Sequence, residues 1–331
     1  MDAPLGDLAP SACPPICVRP CLPEGRASKL TVVGSLQSRV GPISLLVTDL
    51  DNTLYDWFEV WYESFTALLG GISDISGVSA DVLEPEIRRV HQQRGTSEYS
   101  HLIQELPTLV ALHPDQDLRE IYAPAIKAAQ EARRSSLRLY PGVREALDDL
   151  HARGVTIAAY TESQAFYTAS RIRNLGLDGV IDVLFSSPDH DLPKGVTPES
   201  MRTQPEDYYG LKATTHRNTP KGLLKPSPEV LRSIVDDLAD SKGVVYVGDS
   251  LMKDVAMAQD VGVHDALAAY GAVQLHPGYA LLRRVSHWTD EDVEREKEIG
   301  ARPTISPSVV LRTRFDEVFD HFEFAGNDRQ R

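Results

Sequence analysis

The sequence predicts an α/β protein: a Rossmann-like parallel sheet with helices on both faces, plus an α-helical domain inserted after the first core strand. Three observations predict it. Short apolar runs at Ile43 to Val47, Val155 to Tyr160 and Val244 to Val247 end in polar turn residues, as do strands buried on both faces. Helical patterns alternate with these runs, which implies crossover connections and parallel pairing. One long helical stretch, residues 57–139, breaks the alternation.

Taken in order, residues 1–40 carry Cys13, Cys17 and Cys21 among Pro10, Pro14, Pro15, Pro20 and Pro23. A flexible tail is expected there. No histidine stands near these thiols to complete a zinc pattern. Because all three cysteines lie in this segment, no disulfide braces the rest of the chain. The first strand follows and delivers Asp49-Leu50-Asp51-Asn52-Thr53.

In residues 57–139, Trp57, Phe58, Trp61, Tyr62, Phe65, Leu68 and Leu69 recur at helical spacing, and the stretches 82–90, 98–106 and 117–134 do likewise. Trp57 and Trp61 stand one turn apart, which reads as packing rather than a stacking platform. The polar loop 91–99 offers Arg94 and Tyr99 to a substrate. An ordinary interhelical turn capped by Thr96 or Ser97 accounts for it equally well.

After Tyr140-Pro141-Gly142 the sequence reads as helix 143–153, strand 155–160, helix 164–175 and strand 180–185. The core is therefore expected to comprise residues 41–56 and 140–331. A polar, Pro-rich excursion over 187–224 borders either the site or a partner surface. Lys225-Pro226-Ser227-Pro228 opens a helix running to Leu238, with Ser227 suited to the N-cap and Pro228 to the first turn. The strand 244–247 ends in Gly248-Asp249-Ser250-Leu251-Met252-Lys253-Asp254, and Val309 to Phe324 reads as a last strand and helix.

The chemistry gathers at the strand ends. A period of two turns Asp49 and Asp51 to one side while Leu50 points away. Two such carboxylates repel by roughly 4 kcal/mol at about 4 Å and an effective dielectric near 20. A cation, a proton, or both must offset this. Thr161-Glu162-Ser163 ends the second strand, where a helix cap is the bland reading of Thr161. Lys194 and Lys221 compete with Lys225 as the site lysine, but only Lys225 precedes a helix start. Asp254 reads either as an acid favoured by a helix dipole or as one reaching back toward the site.

Carboxylate strand, hydroxyl strand, lysine and carboxylate strand, in that order, resemble the haloacid dehalogenase superfamily over residues 43 to 270. The closest resemblance is to its phosphatase branch with a helical, C1-type cap. It implies that Asp49 is the nucleophile and Asp51 the general acid and base. Thr161, Glu162 and Lys225 would bind phosphate, and Mg²⁺ would sit on Asp49, the Asp51 carbonyl and Asp249, with Asp254 behind. The dehalogenases themselves lack an acid at the position of Asp51. The resemblance thus implies Mg²⁺-dependent hydrolysis of a small phosphorylated metabolite through an aspartyl phosphate. A carbon-centre hydrolase and a noncatalytic binding protein stay open as alternatives.

Composition narrows the partners. With 331 residues, 42% hydrophobic and 25% charged, the chain can bury a sizeable core. A net charge of -14 argues against nucleic acid and anionic membranes as partners. No apolar run is long enough to span a bilayer, and the first residues have no secretory pattern, so a cytoplasmic location is expected. The expected partner is a small phosphate ester. Oligomeric state is not written in the sequence.

Overall fold

Strand β1 (Val40–Thr48) occupies the middle of the sheet because its side chains are apolar on both faces. The computed structural model describes residues 39–326 apart from 190, 194, 203, 240–242, 275, 292–293 and 295–304. The cysteine-bearing segment and Lys194 lie outside the described residues. Leu46 of β1 enters one hydrophobic cluster, whereas Leu45 and Val47 enter another. In β2 (Thr156–Gln164), Ile157 and Ala159 join the first cluster and Ala158 and Tyr160 the second. Burial on both faces requires helices on both sides of the sheet.

With β3 at Val183–Ser187, β4 at Thr215–Asn218, β5 at Gly243–Gly248, β6 at His264–Ala268 and β7 at Val309–Leu311, the order is β4-β3-β2-β1-β5-β6-β7. Each of these pairings is parallel. A short strand β8 (Phe322–Phe324) pairs with the beginning of β1. The chain winds outward from β1 to β4, returns, and winds outward again from β5. The reversal falls between β1 and β5, where parallel sheets open a crevice at their carboxyl ends.

Three local expectations change. The 187–224 stretch read as an excursion contains β4, whose sequence Thr-His-Arg-Asn is mostly exposed and has no apolar run to reveal it. β3 begins at Val183 because Val180 and Ile181 are taken up in a turn on Leu177. The last segment ends not in a helix but in β8, preceded by a one-turn helix at Val318–His321.

Helix α10 (Pro228–Leu238) places the site lysine. Its stripe of Val230, Leu231 and Ile234 is buried against Leu45, Val47 and Tyr160, each contributing roughly 1.5–3 kcal/mol. That docking fixes Lys225, just ahead of the helix, at the carboxyl edge of the sheet.

The insert is built on α1 (Trp57–Ser76), α2 (Ala80–Arg94) and α6 (Ala123–Ser136), joined by the short helices α3 (Leu102–Glu105), α4 (Pro107–Leu112) and α5 (Leu118–Ile121). Asp56 caps α1 by accepting from the Glu59 amide at 2.9 Å. Phe58, Trp61, Phe65, Leu69 and Ile72 form its buried stripe, with Trp61 stacked on Phe65 at 5.0 Å. The boundary expected at residue 139 is crossed: Leu282 and Val285 of α12 (Tyr279–Val285), assigned to the core by sequence, are buried in the cluster of the insert. Among the described residues no helix is long and apolar enough to cross a membrane.

His91 ties α2 to α12, its Nδ1–H donating to the Val285 carbonyl at 2.6 Å. Burial lowers its pKa to about 4. The unfolded chain, with a His near 6.5, therefore binds more protons than the folded one between those values. Stability should be complete above pH 7 and fall as the pH drops toward 4, by about 2 kcal/mol at pH 5. Urea unfolding of wild type and His91→Gln across this range checks it, since a slope unchanged in the variant assigns the effect elsewhere.

Candidate active site

Asp49 leaves β1 with its amide bonded to the Val247 carbonyl at 2.8 Å, so the ends of β1 and β5 are fixed to each other. The chain then turns tightly. The amides of Thr53 and Leu54 return to the Leu50 carbonyl, and Asn52 adopts φ 57°, a left-handed conformation that Asn tolerates. Its Oδ1 accepts from the Phe58 amide at 3.0 Å, which delivers the chain into α1. Gly271 has no side chain because a Cβ there would overlap the Asn52 carbonyl.

Lys225 is the positive centre. Its Nζ lies 2.5 Å from Asp49 Oδ1 and 3.0 Å from Asp254 Oδ1, with its side chain 2% exposed. The rings of Tyr160 and Tyr246 face it at 4.9 and 5.5 Å. Burial would lower the lysine pKa, but Asp254 and Asp49 raise it well above its ordinary value and keep it charged. Burial together with Asp254 and Asp51 pushes Asp49 up to about 7 against the pull of Lys225. Of the competing lysines, Lys221 is at the surface, bonded to Asp191.

Asp249, just beyond β5, completes an acidic cluster. Oxygens of Asp49, Asp249 and Asp254 lie within 4.8 Å of one another. Both oxygens of Asp254 are already engaged, Oδ1 by Lys225 and by the Tyr246 hydroxyl at 2.9 Å, Oδ2 by the Ser250 amide at 3.0 Å. This close seating needs Gly248, where a Cβ would collide with the Asp254 carboxyl. Asp254 thus supports the cluster from behind, as its sequence position allowed. Burial, then Asp254 and Asp49, raises the Asp249 pKa well above its ordinary value. Three acids against one buried lysine leave negative charge that a hard divalent cation would neutralise. Mg²⁺ fits the oxygen donors of Asp49, Asp249 and the Asp51 carbonyl.

The second strand brings Thr161, Glu162 and Ser163 alongside. Thr48 pairs with Ala159, so the next residues of β2 run beside Asp49 to Asp51. Thr161 is buried, its hydroxyl accepting from the Ser163 amide at 3.0 Å. Glu162, expected among the phosphate binders, has a different task. Its carboxylate accepts from the Lys225 amide at 2.8 Å and from Lys253 Nζ at 2.5 Å. Against burial, Lys253 and Lys225 hold it below the usual carboxylate range. A carboxylate kept ionised in this way repels phosphate and serves instead to fix two lysines.

Asp51 has partners that the sequence reading did not assign. Ser163 Oγ donates to its Oδ2, and Arg171 Nη1 stands 3.5 Å from its Oδ1. Arg171 lies on α8 (Ala165–Asn174) and meets Glu98 of the insert. The signal was present: 168, 171 and 172 share the buried phase of α8, and a charge there is unusual. Glu98 sits within the polar loop expected to face substrate, but the two residues chosen from that loop are engaged elsewhere. Arg94 and the Tyr99 hydroxyl both bind the Glu105 carboxylate, and the Arg94 guanidinium lies 4.9 Å over the Tyr99 ring.

Fold and centre together define a doubly wound α/β protein with an acid–lysine centre at its switch point. The profile of haloacid dehalogenase-like hydrolases matches residues 43–262, and the chain belongs to that family. No curated protein matches its sequence. Similar solved structures include the 2-haloacid dehalogenase of Pseudomonas syringae pv. Tomato DC3000 at 19% identity, covering 71% of this chain and 91% of that one with a TM-score of 0.45. A HAD phosphatase of Thermococcus onnurineus matches at 17% identity over 71% and 90%, TM-score 0.42. A haloacid dehalogenase-like family hydrolase of Xanthomonas campestris matches at 14% over 78% and 95%, TM-score 0.44.

Proposed function

We propose that this hydrolase cleaves phosphate monoesters of small metabolites with Mg²⁺ bound, and that the helical insert acts as its cap. The observation that carries this reading is Asp51, a second carboxyl beside Asp49, held by Ser163 and Arg171 at the mouth of the crevice. Displacement at carbon by Asp49 would need no such neighbour. A phosphate ester needs one, because its leaving alkoxide must be protonated.

In the first step an Asp49 oxygen forms a bond to phosphorus as the bond to the leaving oxygen breaks, and Asp51 gives that oxygen its proton. In the second, Asp51 takes a proton from water, whose oxygen bonds to phosphorus as the Asp49–phosphorus linkage opens. Lys225 offsets the charge that gathers on the phosphoryl oxygens and holds Asp49 in place. Bound Mg²⁺ would add charge neutralisation between Asp49, Asp249 and the phosphoryl group.

A single turnover in ¹⁸O-water, with enzyme in excess over an aryl phosphate and Mg²⁺ present, tests this. The label is expected in released phosphate. Label in the peptide containing Asp49, with none in phosphate, would mean that water opened a carbon ester and would overturn the assignment.

A further inference from the structure

One buried guanidinium joins Asp51 to the helical insert. Arg171 is 4% exposed. Its Nη2 lies 2.5 and 2.6 Å from the two Glu98 oxygens, while Nη1 stands 3.5 Å from Asp51 Oδ1. Glu98 is held in turn by the indole N–H of Trp57 at 3.1 Å, and Arg133 of α6 also acts on its charge. Neither Arg171 Nη1 nor Asp51 Oδ1 has a hydrogen bond among the described residues. Thus the arginine is committed to the insert and stands just beyond bonding distance of the core acid.

That asymmetry has a chemical consequence. A free guanidinium and carboxylate close into two parallel hydrogen bonds about 2.8 Å long. Glu98 prevents this by occupying the fork, so Asp51 keeps one oxygen on Ser163 and the other facing the crevice. We propose that Arg171, seated on Glu98, is a positioning residue for Asp51, so that docking of the insert and alignment of the proton donor are one event. Without Glu98, Arg171 turns to Asp51 and draws its carboxyl away from the leaving group.

The proposal rests on the phosphatase reading, and its test separates the two. Glu98→Ala and Arg171→Met are assayed on 4-nitrophenyl phosphate, whose leaving group needs little protonation, and on glycerol 2-phosphate, whose alkoxide needs a proton. Both variants should lose about 30-fold or more on the alkyl ester and less than about threefold on the aryl ester. Equal losses on the two esters would show general damage and overturn the proposal. Independently of turnover, Glu98→Ala and Asp51→Asn should couple in a double-mutant cycle on the unfolding equilibrium, by at least about threefold, although the two carboxylates meet only through Arg171. If wild type hydrolyses neither ester, the phosphatase reading fails and the cycle alone decides: additive effects overturn the link, and coupling sustains it.

Discussion

Asp49→Asn is expected to lower turnover on every phosphate ester by at least about 10⁴-fold and to make the metal-free protein more stable. The first effect follows from chemistry, since an amide oxygen at this position cannot form the acyl phosphate. The second follows from the cluster. Asp49, Asp249 and Asp254 converge within 4.8 Å, and burial with Asp254 raises Asp49 to about 7. A carboxylate whose folded pKa exceeds its unfolded one costs stability above the unfolded value, and the cost is complete above the folded value. Asn removes that cost yet still accepts from Lys225, so a gain of about 1–3 kcal/mol above pH 7 is expected. Rapid-quench turnover and urea unfolding in chelator measure both effects. Residual activity within tenfold of wild type would remove Asp49 as nucleophile, and a large loss of stability would contradict the charge excess described here.

The parts of this centre readable in the sequence are those fixed by local patterns. An apolar run that stops at Asp49 or Asp249 marks a strand end, and Ser227-Pro228 marks the helix start that puts Lys225 at the sheet edge. Strand β4 carries no such pattern because an edge strand with exposed side chains has no buried period. Strand β6 was passed over because Asp265, buried and bonded to Ser308, breaks its apolar character. Long-range ion pairs are the other gap. Arg171 meets a partner 73 residues away, and Glu162 binds Lys253 at a separation of 91; no local period encodes either. The sequence identified the loop containing Glu98 as important, but which of its charges turns inward is decided by the packing of α1 against α6 and α8.

Lys225→Met is expected to be the most destabilising substitution in the centre. Methionine fills similar space between Tyr160 and Tyr246 but leaves Asp49 and Asp254 buried without the cation that lies 2.5 and 3.0 Å from them. Breaking a buried pair from one side costs about 3–5 kcal/mol, because the orphaned charge stays out of water. Turnover should fall by about 10³-fold or more as the phosphoryl oxygens lose their fixed counter-charge. The stability loss should depend on pH with a definite sign. Removing Lys225 raises the folded pKa of Asp49 and Asp254 further, so the penalty is small near about pH 4 and grows as the pH rises toward that folded value. Adding Asp254→Asn to Lys225→Met removes one orphaned charge, and should recover part of the stability at pH 8 while restoring no turnover. Were the double variant less stable than Lys225→Met alone, Asp254 would be acting through its bonds to Tyr246 and Ser250 rather than its charge, and the electrostatic account of the cluster would fail.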